Sequence, residues 1–96
     1  MKFAEVKQVK VGEMTFPIKI TNRAMIEFED MSGSSVASFE GTKKLIQFFY
    51  CTAKAGDKEF KYTFDEFLDK IDDYYEEVMV NFSKAITGNN AEEAKK

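Results

Sequence analysis

The chain has 96 residues, enough for one domain with a modest core, because folding at this size buries only about two-thirds of the surface that the unfolded chain exposes. Fourteen Lys and Arg against seventeen Asp and Glu give a net charge of −3 and a pI near 5.0, which removes the basic footprint of a protein built to bind phosphate backbones and excludes nucleic acid as an expected partner. Histidine is absent, and with it the commonest general base and the commonest metal ligand.

Two strands are expected at the start. Val9 and Val11 alternate with Lys10, and Met14, Phe16, Ile18 and Ile20 alternate with Thr15, Pro17 and Lys19. Gly12-Glu13 joins them as a two-residue loop with glycine first, which suits a type II′ turn. Pairing Val11 with Met14 and Val9 with Phe16 puts four apolar side chains on one face, and that face is expected to pack on the helix carrying Phe48 and Phe49. Further from the turn Lys7 would face Ile18, so a bulge or fraying is expected near Lys7-Gln8. Pro17 must occupy a position that needs no ladder donor.

Thr21 or Asn22 can cap a first helix running through Ala24, Met25, Phe28 and Met31 to Gly33. Residues 32–41 are rich in Ser and Gly, with Val36 and Phe39 as the bulky anchors, and read as a mobile loop. Thr42 can cap a second helix ending at Gly56, in which Leu45, Ile46, Phe48, Phe49, Tyr50, Cys51, Ala53 and Ala55 are apolar on nearly every side. Such a helix needs neighbours on more than one face, either from its own chain or from another. Thr63 and Glu66 have the spacing of a capping box, and Phe64, Phe67, Leu68, Ile71, Tyr75, Val78, Met79, Phe82 and Ile86 continue at helical spacing. Asp72-Asp73 can cap a fresh helix, so one kinked helix or two short ones fit residues 64–86. The expected class is α+β: mostly helical, an N-terminal two-stranded β-hairpin followed by three or four helices, with one domain over 1–88 and a disordered tail over 89–96.

The candidate chemistries are weak. The run from Phe64 to Asp73 looks like a helix entering a calcium loop but lacks the alternating oxygen ligands, the glycine and the closing glutamate, so no metal is assigned. Ser32-Gly33-Ser34-Ser35 lacks the second glycine of a nucleophile elbow, and no histidine is there to activate it. Gly41-Thr42-Lys43-Lys44 falls short of a phosphate loop and reads as a helix start. Cys51 has no partner for an intramolecular disulfide, and within an apolar helix it is expected to be an inert buried thiol. With no apolar N-terminal stretch to act as a signal or to span a bilayer, the cytoplasm is the expected compartment, without membrane attachment. No cofactor and no catalytic residue is expected.

Two features point to protein binding. Residues 57–77 hold nine acidic and three basic residues, a balance of −6 in a chain of −3, which is either a solvated helix face or a surface that attracts a basic partner. Aromatic residues are abundant, ten Phe and four Tyr, more than a hairpin-and-helices core of this size is expected to bury completely. The candidate partner-binding residues are Phe48, Phe49, Tyr50, Tyr74 and Tyr75.

The segments Thr21-Asn-Arg-Ala-Met-Ile-Glu-Phe-Glu-Asp-Met-Ser-Gly33, Phe49-Tyr-Cys-Thr-Ala-Lys-Ala-Gly56 and Phe64-Asp-Glu-Phe-Leu-Asp69, in hairpin-helix-loop-helix-helix order, resemble the small tail assembly chaperones of long-tailed bacteriophages and prophages. The resemblance covers residues 14–86 and rests on helix caps and core positions. Thr52-Ala53 stands where a bulkier apolar pair is common in that family, and Asp72-Asp73-Tyr74 lacks the proline that often separates the last two helices. The resemblance implies a non-enzymatic protein of the bacterial host cytoplasm. It would coat the tape measure protein and help tail tube protein assemble around it; taken together with the apolar second helix and the marginal hairpin, weak self-association is also expected. The competing expectation is a small acidic adaptor or antitoxin-like regulatory protein that binds a basic partner.

Overall fold

The computed structural model describes residues 6–33 and 41–87. The expectations for Val36, Phe39 and the tail 89–96 fall outside them.

Strands β1 (Val6–Val11) and β2 (Met14–Lys19) pair antiparallel, with Val11 opposite Met14, Val9 opposite Phe16 and Lys7 opposite Ile18. Gly12 carries φ 64° and no other residue of the turn is positive, the pattern of a turn with glycine first. Val9, Val11, Phe16 and Ile18 are buried on one face, as the alternation requires. The expected bulge at Lys7-Gln8 does not occur: pairing runs unbroken to Val6 opposite Lys19. A half-buried Lys7 can lie opposite Ile18 because a lysine stem covers apolar surface while its ammonium reaches water. Hydrogen-bonded and open pairs alternate along an antiparallel ladder, so Pro17, opposite Gln8, falls in an open pair and removes no bond.

Helix α1 (Asn22–Ser32) begins at Thr21, whose hydroxyl accepts the Ala24 N–H at 3.0 Å, and closes at Gly33, whose N–H donates to the Glu29 carbonyl at 2.9 Å. Helix α2 (Thr42–Gly56) starts differently from expectation. Gly41 holds the cap position with no side-chain cap bond, and Thr42 is the first helical residue. Seven successive residues, Gln47 to Ala53, are buried, which two alternating faces could never achieve; β2, α1, α3 and the last helix surround the element. The neighbours that this helix required come from its own chain. Buried Thr52 satisfies its hydroxyl on the Phe48 and Phe49 carbonyls at 2.9 and 3.0 Å.

Helix α3 (Phe64–Ile71) opens with the expected capping box: the Thr63 hydroxyl accepts the Glu66 N–H at 3.1 Å, and the Glu66 carboxylate accepts the Thr63 N–H at 2.9 Å. Helical backbone then resumes as Tyr75–Glu77, a π-helical stretch Val78–Phe82 and Ser83–Thr87, continuous enough to be treated as one helix, α4. Residues 64–86 are therefore two helices. Neither Asp72 nor Asp73 caps the second: Tyr74 stands in the cap position without a side-chain bond, and its N–H returns to the Ile71 carbonyl at 3.0 Å.

Phe49 is the centre of the core. Its ring meets Phe16 of β2 at 5.6 Å, Phe67 of α3 at 5.0 Å and, stacked, Phe82 of α4 at 4.7 Å between centroids. One side chain thus joins four elements, each contact in a geometry favoured by the aromatic quadrupole. Phe48 carries the packing on to Phe28 of α1 at 5.2 Å. At the junction of α2 and β2, a Cβ on Gly56 would sit 2.5 Å from the Pro17 carbonyl oxygen and 2.7 Å from the Ile18 Cα, so glycine is what lets the helix end lie on the strand.

Candidate protein-binding cleft

Three of the five aromatic candidates are core residues. Phe48, Phe49 and Tyr50 are 5%, 0% and 8% exposed, so the expectation that they form a binding surface on α2 is corrected by their burial under β2, α1, α3 and α4. Tyr50 spends its hydroxyl on the Tyr62 carbonyl at 2.8 Å, and its ring meets Phe60, Phe64 and Phe67 at 5.6, 5.3 and 5.5 Å. Burial chiefly, with Cys51, Glu27 and Glu66 nearby, raises the Tyr50 phenol above its ordinary value.

Tyr74 is a clamp on the hairpin. Its ring lies against Gly12 so closely that a Cβ there would be 2.6 Å from the ring's Cζ. Two polar contacts complete the clamp: the Gly12 N–H donates to Glu77 Oε1 at 2.6 Å, and Asn81 Nδ2 donates to the Lys10 carbonyl at 2.7 Å. The tip of the hairpin is thereby tied to α4.

Tyr75, the next residue, is 56% exposed. It borders a cleft of about 190 Å³ lined by Thr42, Ile46, Leu68, Ile71, Asp72, Tyr75 and Val78, and its hydroxyl lies 3.5 Å from the Thr42 hydroxyl. Helical spacing explains why these residues meet: Thr42 and Ile46 are four apart on α2, Leu68 is three and four from Ile71 and Asp72 along α3, and Tyr75 and Val78 are three apart on α4. Each helix contributes one face to the same opening. Ile71 and Val78 are buried, Ile46 and Leu68 half-buried, and Thr42, Asp72 and Tyr75 exposed, so the cleft has an apolar floor and walls under a polar rim.

Two other openings are more charged. One of about 320 Å³ between α1 and α2 is lined by Glu27, Asp30, Met31, Tyr50, Cys51 and Lys54, and one of about 460 Å³ lies along Arg23, Ile26, Glu27 and Asp30 of α1. Lys54 reaches Glu27 at 3.8 Å and lies 5.6 Å from the Tyr50 ring centre. The Cys51 thiol is 2% exposed, and burial, with Glu27 second and Lys54 opposing, pushes it up to about 11. A thiol held that high is protonated at neutral pH and is a poor nucleophile. Among the described residues no group of three or more His, Cys, Asp or Glu side chains could hold a metal ion, and no helix is long and apolar enough to cross a membrane.

Of the cleft residues, the sequence singled out Tyr75 as a surface candidate and missed Ile46 and Leu68. The signal was present in weak form: both sit one position off the stripes that bury Leu45 and Phe49 on α2 and Phe67 and Ile71 on α3. No protein-family model matches the chain, and no curated protein or solved structure is significantly similar to it.

Proposed function

We propose that this chain is a non-enzymatic tail assembly chaperone of a long-tailed bacteriophage or prophage, acting in the cytoplasm of the bacterial host. It binds the tape measure protein while tail tube protein assembles around it, and it self-associates weakly. The observation that carries the binding part of this reading is the cleft between α2, α3 and α4, an opening with aliphatic walls from three helices and an exposed tyrosine at its rim. An exposed apolar groove is what shielding an amphipathic helix requires. The phage part rests on the sequence segments that resemble the family; these are α1 with its caps, the C-terminal half of α2 and the first turns of α3.

Titration of the purified chain against tape measure fragments and tail tube protein, at low and high salt, tests the proposal. Micromolar binding that survives salt supports it, because screening weakens exposed charge pairs while buried apolar contact persists. One observation favours a second reading, a small acidic adaptor or antitoxin-like protein for a basic partner: within residues 57–77 all acidic side chains except half-buried Asp57 are exposed. Binding that disappears as salt is raised selects that reading.

A further inference from the structure

We infer that the cleft between α2, α3 and α4 is a socket for one bulky apolar side chain of a basic amphipathic helix, whose Lys or Arg residues one turn to either side are held by Asp65 and Asp72. The inference deepens the protein-binding reading and rests on it. Volume decides the kind of occupant: ligand and cofactor sites run about 300 to 1,000 Å³, whereas this cleft holds about 190 Å³, a space for a side chain and not for a cofactor. Lining decides its polarity. Ile46, Leu68, Ile71 and Val78 offer aliphatic surface from three helices, and Tyr75 stands at the rim as a rigid, amphipathic ring of the type that dominates interface energetics.

Charge decides what flanks the anchor. Asp65 and Asp72 lie three residues before and four after Leu68, so both share its face of α3, one turn away on either side, and both are exposed. Among the described residues no lysine or arginine forms an ion pair with Asp65, Asp69, Asp72 or Asp73. A helix lying along α3 with its apolar anchor in the cleft would bring its own i±3 and i±4 positions to these carboxylates. A second copy seated symmetrically would set acidic rim against acidic rim, which disfavours self-association through this face.

The probe is a synthetic alanine-rich helical peptide with one Leu flanked by Lys at four positions before and after it. Two control peptides replace the Leu by Ala or both Lys by Glu. Titrated into the full chain and followed by backbone amide NMR shifts, the parent peptide is expected to move Ile46, Leu68 and Tyr75, and to saturate by about millimolar concentration. Either control is expected to bind about tenfold more weakly or worse. The Tyr75→Ala chain should weaken the parent peptide, Ile26→Ala on α1 should leave it unchanged, and the Asp65→Lys, Asp72→Lys double variant should prefer the Glu peptide, a reversal that mere loss of folding cannot produce. The inference is overturned by an absence of shifts at millimolar peptide, by shifts clustered away from the cleft, or by a Leu→Ala peptide that binds as well as its parent. Failure of the two readings is distinguishable. Tape measure fragments that bind without moving the cleft amides remove the socket and keep the proposed function, while peptide seated in the cleft of a chain that ignores tape measure fragments does the reverse.

Discussion

Phe49 and Tyr75 are both aromatic residues on helices that border one another, yet they live in opposite surroundings. Phe49 is sealed at the meeting point of β2, α2, α3 and α4, with three ring partners within 6 Å, whereas more than half of Tyr75 is exposed at the mouth of a cleft, near the Thr42 hydroxyl. The difference teaches that aromatic density is a poor guide to a binding surface in a small domain. The densest run, Phe48 to Tyr50, is what holds the elements together; the surface available to a partner comes from less conspicuous side chains, Ile46 and Leu68, left where three helix faces fail to close.

That contrast can be broken or sharpened by substitution. The largest effect is expected for Phe49→Ala, which should cost about 3 to 5 kcal/mol in chemical denaturation, since a fully buried ring is removed from a packed site. A loss near zero would put Phe49 in the same category as Tyr75. Gly56→Ala should cost about 1 to 3 kcal/mol, because the added methyl meets the backbone of Pro17 and Ile18, which has no rotamer to yield. Thr63→Ala removes half of the α3 capping box and should cost about 1 kcal/mol, read as a lower melting temperature.

An alkaline loss of stability marks the buried side of α2. Tyr50 and Cys51 both have raised values, so above the ordinary thiol value of 9.0 the unfolded chain releases protons that the folded chain keeps. Stability should be intact below about 9 and should decline as the pH climbs through about 11, and Cys51→Ala should flatten that decline in denaturation curves taken across this window. The smallest effect on stability is expected at the other pole: Tyr75→Ala should change it by no more than about 0.5 kcal/mol while weakening partner binding. A large loss of stability there would make Tyr75 a core residue and leave the cleft without its rim.

Much of the scaffold was legible because local chemistry decided it. The Val9-to-Phe16 alternation with Gly12-Glu13 set the register, and Thr-x-x-Glu at 63–66 set the start of α3. Where tertiary contact decided, reading from residues fell short. The break between α3 and α4 looked like a matter for Asp72 and Asp73, but the structure places Tyr74 there with its ring against Gly12, sixty-two positions back in the numbering. The π-helical stretch had no sequence signature at all. The candidate site was half legible for the same reason: a helix apolar on every side says that it will be covered, but only the arrangement of β2, α1, α3 and α4 says which of its residues are left at an opening.

The clamp between the hairpin tip and α4 carries a consequence in time. Gly12 and Glu77 are 65 positions apart, so a ribosome working at about 5 to 20 residues per second completes Glu77 roughly 3 to 13 s after Gly12. A two-stranded ribbon is marginal by itself, and here the face of Val9, Val11, Phe16 and Ile18 waits until α2 has been made through Gly56, while the tip waits longer, until Glu77 of α4. The early-made part of the molecule is thus the last to be secured, and its synthesis passes through a period in which the nascent chain displays the apolar ribbon that the finished protein conceals.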